Sequence, residues 1–336
     1  MKRDPTRPAA LAALAFCALA LAGCGGNQNV LDPHSHPERR IATLWWVMFA
    51  VAAIGFSVVV LFLFLGWVRR NRDRLPFGGG ESAAVGMVVA LGIALPIVLL
   101  VSLFVYSDLF VLKSVAAPRP GSTRLTLEVT GRQWFWEVRY PGTKAVTANE
   151  IHIPVGTRVN LVGKTDDVIH SFWVPELNRK VDLIPGQTTR ILLEADQPGS
   201  YRGQCAEYCG LQHAHMAMYV IAQPPAQFRT WLAREAKPAR PQQGSPSPGF
   251  LAFNAENACS GCHTVRGTNA HGDVGPDLTH VASRLTLAAG TIPNRPADLL
   301  EWIRDPQHVK PGAKMPNLDL TDTQFREIAT YVEGLR

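Results

Sequence analysis

The stretch Ile41–Val68 contains no charged side chain, and no other feature limits the possible folds of this chain so severely. As a helix rising about 1.5 Å per residue it would be roughly 42 Å long, more than the ~30 Å hydrocarbon core of a bilayer. A second apolar run covers about Ala83–Tyr106 and contains Pro96, which is expected to kink it. Between the two lies Arg69-Arg-Asn-Arg-Asp-Arg74, with a net charge of +3. Short basic loops of this kind stay on the cytoplasmic side. A buried core helix fits neither the length of these runs nor their basic flank. The expectation is a transmembrane helix hairpin over residues 41–116 that places everything after about Asp108 on the outer face.

The N-terminal residues agree with export. Lys2, Arg3 and Arg7 precede an Ala/Leu-rich run from Ala9 to Ala22, the pattern of a signal peptide over residues 1–23. Residues 24–40 then form a short exported segment. The whole chain of 336 residues has a net charge of +6, but residues 118–236 contribute +2 and residues 249–336 contribute −2. The excess sits in the leader, the basic loop and Lys237–Arg240. No basic face remains for nucleic acid, and that class is set aside.

From Arg124 onward the chain alternates, with Leu125, Leu127 and Val129 on one side and Thr126, Glu128 and Thr130 on the other. That is the period of a half-buried strand. Similar short strands are expected near Ile151–Pro154, Arg158–Val162, Val168–Val174, Thr188–Glu194 and Met216–Gln223. Turn signals at Asp166-Asp167, Pro185-Gly186 and Gln197-Pro198-Gly199 separate them. Residues 117–236 therefore read as an all-β sandwich or small barrel.

Within that region stands Cys205-Ala-Glu-Tyr-Cys209-Gly-Leu-Gln-His213-Ala-His-Met216, with His170 on an earlier strand. Two thiolates, two imidazoles and a thioether make a soft, closed ligand set suited to electron-transferring copper. A Cys205–Cys209 disulfide, or zinc on two Cys and two His, is the alternative. Neither accounts for Met216. His215 and Met218 stand at the wrong spacing and read as surface or packing residues.

Lys237–Pro248 is rich in Pro, Gln and Ser and reads as a semi-stiff linker. The remaining residues, 249–336, are few for a domain unless a cofactor fills its core. Cys259-Ser-Gly-Cys262-His263 is the attachment pattern of a c-type haem, with His263 beneath the iron. A chance match or a thioredoxin-like redox pair is the other reading, and the latter expects a βαβ context that is not visible. After His263 the only methionine is Met315, and His/Met ligation suits an electron carrier. His271, His280 and His308 compete with it for the sixth position. Thr321-Asp-Thr-Gln324 is a capping box opening a last helix whose Phe325, Ile328, Ala329, Val332 and Leu335 face a core. Of the six cysteines, Cys17 and Cys24 lie near the N-terminus and four belong to these motifs. No pair is left for a structural disulfide.

These motifs carry a family resemblance. The order His170…Cys209…His213…Met216 is similar to that of cupredoxins, and the second thiol, Cys205, makes the pattern resemble the binuclear copper A centre of cytochrome c oxidase subunit II. His170-Ser-Phe-Trp-Val-Pro175 and Gly131-Arg-Gln-Trp134-Phe-Trp136 match that family as well. The resemblance implies Cys205 and Cys209 as bridging thiolates, His170 and His213 as terminal imidazoles, and Met216 and the Glu207 carbonyl as weak ligands. It further implies that the Glu207 side chain helps bind a magnesium ion shared with subunit I, with Lys180 and Asp182 nearby. Trp134 would be the exposed entry point for electrons, and Trp136 would pack inward. Arg132 departs from the family, which more often has His there.

Gly275-Pro276-Asp277-Leu278 and Met315-Pro316 resemble class I cytochrome c, implying covalent haem c on Cys259 and Cys262 with His263 and Met315 as axial ligands. Leu21-Ala-Gly-Cys24 resembles a bacterial lipobox, which implies lipidation at Cys24, ordinary signal cleavage near Gly23 being the alternative. Together the chain resembles subunit II of a caa3-type oxidase: a transmembrane hairpin, an all-β cupredoxin sandwich and an all-α class I cytochrome c domain. The implied partners are subunit I, with haem a, haem a3 and copper B, and subunit III. A soluble or membrane cytochrome c is a further donor. The implied place is the bacterial cell membrane, with the soluble domains outside. Electrons would pass from haem c to copper A and on to subunit I for oxygen reduction coupled to proton pumping. A copper-A-containing nitric oxide reductase subunit, or a membrane-tethered copper-binding or assembly protein, are the rival readings.

Overall fold

The computed structural model describes residues 26–69, 81–240, 244–255 and 258–336. The leader, Cys24 and most of the basic loop lie outside these residues. The chain divides into two units, Ser35–Ala116 on one hand and Ala117–Arg336 with the residues through His34 on the other.

The first unit is helical. Helix α1 spans His36–Arg69, and the Ser35 hydroxyl accepts a bond from the Glu38 N–H at 3.1 Å to close its first turn. Helix α2 spans Glu81–Leu112, longer at both ends than the apolar pattern suggests. It contains a π-helical turn at Ala90–Ala94, directly before Pro96. Proline has no N–H to offer the carbonyl four residues back, and a widened turn is how a helix absorbs that loss. Neither helix buries its apolar window in protein, as expected of spans that face lipid.

The second unit begins with ten strands. They are β1 (Leu125–Arg132), β2 (Phe135–Arg139), β3 (Val146–Ala148), β4 (Glu150–Pro154), β5 (Val159–Thr165), β6 (His170–Trp173), β7 (Val181–Leu183), β8 (Thr189–Leu193), β9 (Gly199–Cys205) and β10 (Ala217–Gln223). They form two five-stranded sheets, ordered β3-β2-β1-β5-β8 and β4-β10-β9-β6-β7. Leu127, Val129, Trp136, Leu161, Phe172 and Met218 fill the space between them and are fully buried. Helix α3 (Pro225–Glu235) closes one end, with Phe228 and Trp231 buried.

The remainder is mostly helical: α4 (Pro248–Phe253), a two-stranded ribbon of β11 (Thr286–Leu287) and β12 (Ile292–Pro293), then α5 (Pro296–Arg304), α6 (Pro306–Val309) and α7 (Asp322–Glu333). The capping box opens α7, Thr321 and Gln324 each bonding the other's backbone N–H. Phe325, Ile328, Ala329 and Val332 pack with Phe253, Leu299 and Ile303. The segment read as a semi-stiff linker is partly held here. Ala239 is buried in this core, and its N–H donates to the Arg266 carbonyl at 2.8 Å.

Candidate metal and haem site

The sandwich brings the five metal-motif side chains to one end. His170 is the first residue of β6, and Cys205 is the last of β9. The loop between β9 and β10 is closed at its neck by the Cys205 N–H donating to the Met216 carbonyl at 2.9 Å. His213 opens a short 3-10 turn on that loop. The Cys205 and Cys209 sulfurs stand 3.7 Å apart, too far for the ~2.05 Å of a disulfide. His170 Nδ1 lies 3.8 Å from Cys205 Sγ, His213 Nδ1 lies 3.7 Å from Cys209 Sγ, and Met216 Sδ lies 3.8 Å from Cys209 Sγ. The Glu207 carbonyl oxygen lies 3.2 Å from Cys205 Sγ, while its side chain is exposed. The donor atoms of His170, Cys205 and Cys209 lie within 4.8 Å of one another, with His213 and Met216 beside Cys209, and His170, Cys205, Cys209 and Met216 are buried. His215 is exposed and Met218 belongs to the core.

Two features tune these donors. The Cys209 S–H stabilises the Cys205 thiolate, so the Cys205 pKa falls and that of Cys209 rises. The pair gives up one proton readily and holds the second, which a metal displaces. His170 Nε2 bonds Asp167 Oδ1 at 2.8 Å, which orients the ring and leaves Nδ1 facing sulfur. Burial works against a charged His170, but Cys205 and Asp167 overcome it and raise its pKa. Gly131 makes room for this imidazole, since a Cβ there would sit 2.8 Å from His170 Cδ2. The sequence marks Asp167 only as a turn, and its ligand-orienting position comes from the fold.

Trp134 is half buried rather than exposed, because the last domain packs over it. Its indole N–H donates to the Cys209 carbonyl at 2.9 Å, beside a 2.8 Å bond from Gln133 Nε2 to the same oxygen. Trp136 is fully buried. Arg132 also has a local reason to differ from the family. Its guanidinium pairs with Asp166 at 3.0 Å and donates to the Asp273 carbonyl of the last domain at 2.8 Å.

Trp134 also lines a mainly apolar cavity that opens to solvent. Cys259, Cys262, His263 and Met315 line the same cavity, whereas His271, His280 and His308 do not. The thiols of Cys259 and Cys262 are free. His263 Nδ1 bonds the Pro276 carbonyl at 2.8 Å, which leaves Nε2 as the free ring donor. Burial lowers the His263 pKa, keeping the ring neutral as an iron ligand must be. Gly275 lies flat against this ring, where a Cβ would come within 2.4 Å. Arg284, buried with its Nε unpartnered, also borders the cavity. An apolar hollow with thiol, imidazole and thioether on its walls fits a haem, and the sulfur-rich cluster fits copper.

Comparison with known proteins agrees with both halves. The periplasmic domain of cytochrome c oxidase subunit II matches residues 143–223, and cytochrome c matches residues 248–336. Cytochrome c oxidase subunit 2 of Alkalihalophilus pseudofirmus is 32% identical over 339 residues, covering 96% of each chain. The protein of the same name from Bacillus sp. (strain PS3) is 30% identical over 260 residues and 72% of each chain. That from Bacillus subtilis is 27% identical over 350 residues and 96% of each chain. A hairpin of apolar helices, a sandwich with clustered sulfur and imidazole, and a cavity lined by the haem motif thus come with matching relatives along nearly the full length: the chain belongs to the cytochrome c oxidase subunit II family, in a form that carries a C-terminal cytochrome c domain.

Proposed function

We propose that this chain relays electrons from covalently bound haem c to a binuclear copper A centre and on to haem a of subunit I. Oxygen reduction at haem a3 and copper B, coupled to proton pumping, belongs to that partner, with subunit III completing the complex. The observation that carries this reading is the position of Trp134, which borders the cavity lined by the haem motif and donates to the backbone of Cys209.

When bound, haem c and the copper pair supply one-electron redox chemistry, and the protein's task is to hold their ligands still. Cys205 and Cys209 would bridge the coppers, His170 and His213 would terminate them, and Met216 and the Glu207 carbonyl would be the weak ligands. Asp167 keeps His170 in one orientation. Cys259 and Cys262 would hold haem c covalently, and His263 and Met315 would be its iron ligands. His/Met ligation favours a high potential. Glu207, exposed on the copper loop, would contribute to a magnesium site shared with subunit I. The soluble domains would stand outside the bacterial cell membrane, anchored by the hairpin and by a lipid on Cys24. A soluble or membrane cytochrome c would feed the fused haem.

Metal and haem content with EPR tests this on the purified complex. Two coppers per chain beside haem c, with one unpaired electron shared over both coppers, is the expected result. One copper, or zinc, sinks the copper A assignment and favours a metal-delivery role. Gas consumption by the complex separates oxygen from nitric oxide reduction.

A further inference from the structure

Lys310 is the least expected side chain at the seam between the sandwich and the haem domain. It is only 3% exposed. Its ammonium ends on two carbonyl oxygens, Trp134 O at 2.8 Å and Ala288 O at 3.3 Å. Burial pushes its pKa down to about 7. Placing a lysine head group here costs free energy that an aliphatic residue would avoid. Packing alone does not account for it, whereas the bond to Trp134 does.

The surroundings show what that bond connects. Lys310 and Trp134 both line the cavity that holds His263 and Met315, and the Trp134 indole N–H reaches the Cys209 carbonyl at 2.9 Å. Lys310 thus holds the main chain of the same residue whose indole holds the Cys209 carbonyl, so Trp134 is tied at its backbone on the haem side and at its ring on the copper loop. Other long bonds across the seam do not touch Trp134. Arg132 reaches Asp273 O, Arg266 reaches Lys144 O, and Gln212 reaches Pro311 O. Those contacts hold the domains together, and Lys310 alone among them grips the main chain of Trp134.

We infer that Lys310 is a positioning residue, which fixes Trp134 between the haem cavity and Cys209 and thereby sets the rate of electron passage from haem c to copper A. The inference rests on the relay reading above. Tunnelling falls off exponentially with separation, so a small displacement of the bridging ring has a large effect on rate.

The test uses the assembled oxidase containing the full chain, oxidised rapidly from the subunit I side while haem c and copper A are followed separately. Lys310→Met keeps the aliphatic stem and removes the donor. Oxidation of haem c should slow by about tenfold or more, the size expected when a reacting group loses its alignment. Copper A oxidation, both optical spectra and both midpoint potentials should stay unchanged, and Lys310→Arg should recover most of the rate. Unslowed transfer in Lys310→Met, or slowing accompanied by shifted potentials, overturns the inference. If haem c of the unaltered complex is not oxidised through copper A, the relay reading itself falls.

Amine labelling of the unaltered complex provides a second measurement that needs no variant. With its lowered pKa, Lys310 would react faster than an ordinary lysine wherever reagent reached it. Protection of about tenfold or more relative to half-exposed Lys314 is expected of a seated side chain. Equal labelling of the two overturns the inference, including where Lys310→Met fails to assemble.

Discussion

The two cofactor sites are built in opposite ways. At the copper motif the ligand atoms already converge, on strand ends tied by backbone bonds and by a carboxylate behind His170. At the haem motif the ligands stand around a hollow, and the side chains of α4, α5 and α7 meet across space that no side chain fills. The sandwich has a complete core of its own, with Trp136, Phe172 and Leu161 fully buried, and that core runs up to the metal motif where Trp136 packs against His170. The buried apolar residues of the haem domain, among them Phe253, Leu299, Ile303, Ile328 and Val332, also line the haem cavity. A small domain whose core side chains face a cofactor draws part of its apolar burial from that cofactor, so its folding is tied to it in a way that the sandwich's is not.

The strongest challenge to this contrast is to block haem attachment. Replacing Cys259 and Cys262 together with Ala should leave residues 248–336 open to proteolysis, a loss of several kcal/mol on the scale of large core cavities. The sandwich should stay folded and still take up copper. An intact haem domain without haem would erase the contrast. The reciprocal change, Cys209→Ser, should abolish the shared-electron EPR signal of copper A. It should move sandwich stability by only about 1 kcal/mol, the ordinary cost of a single substitution. A large drop in melting temperature for that variant would mean that the metal motif is structural after all.

Trp134→Phe keeps a ring at the seam but deletes the indole donor to Cys209. Slower haem c oxidation is expected, with about 1 kcal/mol lost for the missing hydrogen bond. The smallest effect concerns Asp167. Burial alone would raise its pKa, but the Gln133 N–H, His170 and the Val168 N–H outweigh burial and hold it below the usual carboxylate value. A lowered carboxylate stabilises the fold above its unfolded pKa of about 3.9, and that contribution is lost as pH falls through the folded value. Acid unfolding of copper-free protein should therefore come at lower pH in the natural chain than in Asp167→Asn.

What the sequence revealed follows the range of each interaction. Cys259, Cys262 and His263 lie within one turn, and Cys205 to Met216 within one loop, so their spacing alone announces their chemistry. Strands β2, β3, β7 and β9 were harder to see. β9 contains Gly199 and Gly203, which blur its alternation, and Gly203 is required because a Cβ there would meet the Trp173 carbonyl at 2.6 Å. β3 and β7 have only three residues each, too short for a period to register. The roles of Asp167, Gln133 and Lys310 were not legible, because each depends on a partner that only the folded chain brings near. Lys310 and Trp134 are 176 residues apart in the chain.

The seam between the two extramembrane domains is written mostly in main chain. Arg132, Gln212, Arg266 and Lys310 all end on backbone carbonyls, and the Ala217 N–H meets the Ala289 carbonyl directly. Among the described residues, Lys314 with Asp167, 3.9 Å apart, is the charged side-chain pair across it. A carbonyl is the same in every residue, so drift in the side chains opposite leaves these acceptors in place. Related chains that keep these donors on the same backbone path should therefore accept one another's haem domains even where the residues carrying the acceptors differ, and chimaeras exchanged at residue 237 are the natural place to see how far that interchangeability extends.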